Sequence, residues 1–138
     1  MTNDVWINLP VRDVNKAREF YKKLGGFTLN DQHGGDHMAS FFVGANKLIV
    51  NFFIESLFET FTGHKNTNTK QGTEVLFSIG AKSKKEVDEM YDKAIKAGAT
   101  SYGNTAEKDG WMYGCGFVDP DGHRWNLLYM DMAKIPKS

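Results

Sequence analysis

A chain of 138 residues with seventeen basic and seventeen acidic side chains carries no formal net charge. Its overall balance therefore lacks the basic footprint that holds nucleic-acid phosphates. Hydrophobic residues at 41% and charged residues at 25% are ordinary soluble proportions, and no apolar run approaches the roughly 20 residues of a membrane span. The length suits one compact domain, or two small modules sharing one core. Cys115 is the single cysteine, so no intrachain disulfide forms, which fits a reducing compartment. Residues 1–6 show no basic region followed by an apolar core, so no secretory signal is read there. The expectation is a cytoplasmic protein with neither nucleic acid nor a membrane as partner.

Val5, Ile7 and Leu9 alternate with Trp6 and Asn8, which predicts a strand with two distinct faces. Asp13 is a plausible N-cap for a helix whose apolar stripe is Val14, Ala17, Tyr21 and Leu24, with Phe20 beside it. Gly25 and Gly26 stop that helix, and Phe27 begins a second strand. Residues 30–36 read as a loop, and residues 38–43 and 47–53 as a hairpin. Residues 55–61 suggest a short helix with Leu57, Phe58 and Phe61 as its apolar side. Residues 62–72 are polar and read as a mobile linker, with a module boundary near Thr69.

The same order then returns. Val75, Phe77 and Ile79 share one face of a strand. Ser83, with Glu86 three residues on, has capping-box spacing. The helix it opens carries Val87, Met90, Tyr91, Ala94 and Ile95 as its stripe, and Gly98 ends it. A short strand over residues 99–102 and a loop over 103–110 should follow, then a hairpin from residues 111–118 and 123–129. Between those last strands, Asp119-Pro120-Asp121-Gly122 fits a type I turn. Superposing the two hairpins sets Asn51 on Asn126. Each half is strand, helix, strand, strand, strand. One helix covers one sheet face, and the other face must meet a twin or a ligand cavity. Trp6, Asn8, Asn51, Glu74, Ser78 and Asn126 fall on that second face, and their mixed polarity favours a cavity.

With this repeat in place, three segments resemble the vicinal oxygen chelate superfamily of glyoxalase I, bleomycin-resistance proteins and extradiol dioxygenases. They are Asn8-Leu9-Pro10-Val11-Arg12-Asp13, Phe20-Tyr21-Lys22-Lys23-Leu24-Gly25, and Phe117-Val118-Asp119-Pro120-Asp121-Gly122-His123-Arg124-Trp125. Glu74-Val75-Leu76 and Met112-Tyr113-Gly114 are similar to a bacterial subfamily described as lactoylglutathione lyases. The resemblance spans residues 4–131. It implies an α+β fold of tandem βαβββ modules, residues 4–66 and 70–131, forming a curved eight-stranded mixed sheet with helices outside, as one glyoxalase-like domain over residues 1–138. It also implies a homodimer.

Metal-dependent relatives use one position on the first strand and one on the last strand of each half. The resemblance sets those positions at Trp6, Asn51, Glu74 and Asn126, with Asn8 on the same face as Trp6. One carboxylate, two amides and an indole are a poor donor set for zinc or nickel. No cofactor is therefore expected, and a divalent metal held weakly by Glu74, Asn51 and Asn126 is the alternative. His33 and His37 lie four apart in a loop, His64 lies in the polar linker and His123 follows a turn glycine. None rescues a metal site. Cys115, between two glycines without an evident activating neighbour, reads as a small buried filler.

Two functions remain open at this point. One is a metal-independent protein that binds a small organic ligand in a concave cavity, lined by Trp6, Asn8, Asn51, Phe53, Glu74, Trp111, Tyr113 and Asn126. The other is a lyase or isomerase acting on a small oxo compound or thiol conjugate, using a metal or Glu74 as general base. Trp125, of opposite parity to Asn126, belongs between sheet and helix.

Overall fold

A computed structural model describes residues 4–30 and 34–136. In chain order these form β1 (Trp6–Val11), α1 (Val14–Lys22), β2 (Phe27–Leu29), β3 (Met38–Val43), β4 (Leu48–Ile54) and α2 (Glu55–Thr62). Then come β5 (Leu76–Gly80), α3 (Lys84–Lys96), β6 (Thr100–Lys108), β7 (Met112–Val118) and β8 (Arg124–Met130). The chain divides into two compact units after Asn68. The eight strands form two four-stranded sheets, ordered β1-β4-β3-β2 and β5-β8-β7-β6. In each, the first and last strands of the unit pair in parallel and the rest are antiparallel. The architecture is the α+β tandem repeat that the sequence predicts. No helix among the described residues is long and apolar enough to cross a membrane.

Both long helices start as their caps direct. Asp13 accepts from the Lys16 backbone N–H and Ser83 accepts from that of Glu86, satisfying donors left orphaned by the first turn. The α1 stripe of Val14, Ala17 and Tyr21 is at most 2% exposed. It rests on Phe41, Val50 and Phe52 of the first sheet, all buried. Tyr21 organises this core: its ring stacks on Phe52 at 4.5 Å and approaches Phe20 and Phe27 at 4.9 Å each. Burying each such ring contributes about 1.5–3 kcal/mol. In the second unit Val87, Met90 and Ala94 of α3 are buried over Phe117, Trp125 and Leu127. Trp125 meets Phe77 at 4.7 Å, so its place between sheet and helix is as parity predicts.

Several expectations need correction. Ile95 lies at the rim of the α3 stripe and is 37% exposed. Strand β5 starts at Leu76, leaving Glu74 and Val75 ahead of it. The segment read as a loop after Tyr102 is strand: β6 runs to Lys108 along β7. It is an edge strand, polar on both faces, so it carries no period-two signal. The linker of residues 62–72 is held by hydrogen bonds, among them those of Asn66 and Thr69. The Asn66 backbone N–H donates to Glu59 Oε2 at 2.8 Å, and the Thr69 hydroxyl donates to the Asp121 carbonyl at 2.7 Å. Helix α2 buries no residue completely; Phe61 is 59% exposed, and its ring lies 5.1 Å from Phe53 of its own sheet.

Candidate functional site

Alternation leaves each sheet one face opposite its long helix, here called the open face. On the first sheet Asn8 lies opposite Asn51, and on the second Ser78 lies opposite Asn126. Asn51 Nδ2 donates to Asn8 Oδ1 at 3.1 Å, and Asn126 Nδ2 donates to Ser78 Oγ at 3.4 Å. The superposition of the two hairpins therefore has a physical counterpart. In both units an amide on the last strand reaches a polar group on the first.

The second sheet adds a residue that the sequence does not announce. Ser101 pairs with Phe117 and Gly103 with Gly116, so Tyr102 is an extra residue at a β-bulge. Such a bulge re-aims a side chain. The Tyr102 ring lies over Gly116, where any added Cβ would overlap it. Its hydroxyl donates to Asn126 Oδ1 at 2.5 Å and to the Trp125 carbonyl at 3.2 Å. Partial burial raises the phenol above its ordinary range, while the neighbouring Arg124 pulls the other way. The hydroxyl is thus a proton donor at neutral pH. Arg124 places its guanidinium 4.9 Å from the centre of the Tyr102 ring. Ser78, Tyr102, Arg124 and Asn126 form one polar group, with Leu76 and Leu128 on the same face by register.

The other candidates are more dispersed. Trp6, opposite Ile49, is 55% exposed, and Phe53 shares its face with Asn51. Glu74 lies exposed in a bend before β5, and the side-chain partners of Asn126 are Tyr102 and Ser78. Tyr113 pairs with Tyr129, three residues from Asn126, and so belongs to the helix-covered side rather than the open face. Its hydroxyl donates to Asp88 of α3 at 2.6 Å. Trp111 and Tyr113 instead line a shallow recess with Lys84, Glu107, Tyr129 and Lys134, in which Lys84 and Glu107 form an ion pair. Its parity within β7 with buried Cys115 and Phe117 is the signal that assigns Tyr113 to this side.

The sequence matches the family model for the Glyoxalase/Bleomycin resistance protein/Dioxygenase superfamily over residues 5–127. The chain belongs to that superfamily. No curated protein matches the sequence. Among solved structures of the superfamily's fold, a hypothetical protein from S. aureus is 29% identical, with a TM-score of 0.81 and 94% of each chain covered. A glyoxalase/bleomycin resistance protein/dioxygenase family enzyme from Burkholderia phytofirmans is 20% identical, with a TM-score of 0.77, covering 93% of this chain and 99% of its own. A fosfomycin resistance protein from Listeria monocytogenes, complexed with Mn(II) and sulfate, is 16% identical, with a TM-score of 0.69, covering 96% and 93%.

The Mn(II) of that neighbour makes the donor set here worth testing. Among the described residues no three His, Cys, Asp or Glu side chains gather closely enough to hold a metal. Asn126 Oδ1 already accepts the Tyr102 hydroxyl, and Trp6 offers no donor atom for a cation. Asn51 brings an uncharged amide, and Glu74 is exposed. These residues do not fit a resident divalent ion of the superfamily type. His33 lies outside the described residues, while His37 and His64 are exposed. His123 is held in the β7–β8 turn, its backbone N–H donating to Asp119 Oδ1 at 2.8 Å. Cys115 is buried, and burial pushes its thiol up to about 12. A negligible thiolate fraction follows, as suits a packing role.

Proposed function

We propose that this protein binds a small organic ligand on the open face of its second sheet without a resident metal. The carrying observation is the bonded set of Tyr102, Asn126 and Ser78 at the resemblance-derived position for a metal ligand. An amide and a hydroxyl, the amide held by the Tyr102 phenol and the set bordered by Leu76 and Leu128, suit a ligand with an apolar body and a few polar atoms. The first sheet's counterpart, Trp6 with Asn8, Asn51 and Phe53, enters the same reading through the repeat. Glu74 precedes β5, and Trp111 and Tyr113 lie on the helix-covered side, so these three stand outside the open-face reading. A homodimer in the cytoplasm completes the proposal. The dimer rests on exposed Val5, Trp6, Val75 and Leu76, apolar groups at the starts of two edge strands, and the location on the single cysteine.

Purification without chelator followed by elemental analysis should find far less than one divalent ion per chain. Thiol conjugates, aromatic antibiotics and small oxoacids should then be screened by thermal shift. A ligand at 100 times its Kd adds about 2.7 kcal/mol. For a domain of this size that raises Tm by roughly 5–15 °C. Tyr102→Phe should weaken a true hit by about three- to tenfold, the net value of one hydrogen bond. A stoichiometric tightly held metal, or hits indifferent to Tyr102→Phe, would overturn the reading. Sedimentation equilibrium tests the dimer separately: a 15.6 kDa species at every concentration would defeat it.

A further inference from the structure

The open face of the second sheet carries a cation whose position has a further consequence. Arg124 and Asn126 are two residues apart on β8, so their side chains leave the same face. Ser78 faces Asn126 across the parallel pairing, and Leu76 faces Arg124. The guanidinium lies against the Tyr102 ring at 4.9 Å. Among the described residues no ion pair engages Arg124. Arg124 differs in this from Lys22, Lys84, Lys85 and Lys134, which pair with Glu19, Glu107, Glu89 and Asp131.

A cation held over an aromatic ring is attracted to it and keeps its N–H donors available. That contact restricts the long side chain, which lowers the ordering cost of a bidentate contact. Ser78 Oγ and Asn126 Nδ2 add two neutral donors beside it. Asn126 Oδ1, the acceptor that would repel an anion, is already covered by the Tyr102 hydroxyl. Tyr102 thus removes a repulsive lone pair and aligns the charge with one side chain.

We infer that the ligand of this face carries an anionic group, a carboxylate or phosphonate, received by Arg124 with Ser78 and Asn126. This rests on the small-ligand reading of the same face and names the chemical class it takes. Tyr102 is a positioning residue here, acting through Arg124 and Asn126.

Benzoate, phenylphosphonate and benzamide distinguish the charge from the shape. Each is titrated into full-length, isotopically labelled protein, and NMR follows the Arg124 Nε–H, the Asn126 side-chain amide and the Ser78 backbone signals. Both anions should shift these signals, and benzamide should bind at least about tenfold more weakly, the margin of a charge-assisted hydrogen bond. Arg124→Gln should erase the discrimination, while Arg124→Lys should retain part of it because charge survives without the fork. Benzamide binding as well as benzoate would overturn the anionic class, and discrimination surviving Arg124→Gln would overturn Arg124 as its receiver; either result leaves the small-ligand reading standing. If no probe moves any of the three signals, both readings of this face fall together. Tyr102→Phe should lower anion affinity and shift the Asn126 side-chain signal; unchanged affinity would overturn the small-ligand reading of this face and the anionic class with it.

Discussion

Phe52→Ala is expected to lower the free energy of unfolding by about 3–5 kcal/mol. Phe52 is fully buried in the middle of β4. Its ring stacks on Tyr21 at 4.5 Å and meets Phe41 edge-on at 6.0 Å. Truncation removes the transfer energy of the ring and leaves a cavity walled by two other rings. Those walls belong to α1 and β3, whose backbones are set by the N-cap at Asp13 and by antiparallel pairing with β4. They can collapse only partly, so the cavity cost adds to the transfer cost. Against a total stability of about 5–15 kcal/mol, this takes a large share of the protein's margin. Urea denaturation with an unchanged m-value measures it. A loss below about 1 kcal/mol would show that the aromatic cluster is not the core of the first unit. Phe52→Leu should cost much less, since most of the buried volume remains.

Gly122→Ala should cost about 2–4 kcal/mol, although it adds one methyl group on the surface side of a turn. Two independent causes combine. Gly122 has φ of +94°, a region that L side chains rarely adopt. An added Cβ would also overlap the Thr69 side chain. Thr69 cannot move freely, because its hydroxyl donates to the Asp121 carbonyl at 2.7 Å. The turn itself resists adjustment: Asp119 Oδ1 accepts from the backbone N–H groups of Asp121 and His123, at 2.9 and 2.8 Å. The methyl therefore breaks the Thr69 contact or distorts the β7–β8 hairpin. Thr69→Ala alone should cost about 0.5–1.5 kcal/mol, one hydrogen bond. The double variant should cost less than the sum, because the Thr69 hydrogen bond removed in Thr69→Ala is also broken in Gly122→Ala. Strict additivity would mean that Gly122→Ala leaves the Thr69 hydrogen bond intact.

Much of this architecture is legible in local sequence. Asp13 and Ser83 stand three residues before the N–H groups they cap, so both helix starts follow from short spacings. The Asp119-Pro120-Asp121-Gly122 turn closes with the Gly122 N–H on the Asp119 carbonyl at 3.0 Å, as its residue types require. Period two assigns Trp125 to the core and Asn126 to the open face. The repeat brings Asn51 and Asn126 to matching places because hairpin length and strand parity recur together.

Only the tertiary structure decided the composition of the site. Tyr102 lies 24 residues from Asn126, on an edge strand whose polar sequence carries no alternation. It reaches Asn126 because a bulge inserts it between the pairs Ser101–Phe117 and Gly103–Gly116, and because Gly116 leaves room for a ring. Parity within a strand is a local property, but a bulge depends on the partner strand, and no spacing within β6 encodes it. Tyr113 is a different case: it shares parity within β7 with buried Cys115 and Phe117, so its place on the helix side follows from alternation along its own strand. Caps, turns and alternation arise from contacts between near neighbours, so the chain alone determined them. Which donors converge on one face depends on pairings between remote segments, and only the folded sheet decided that.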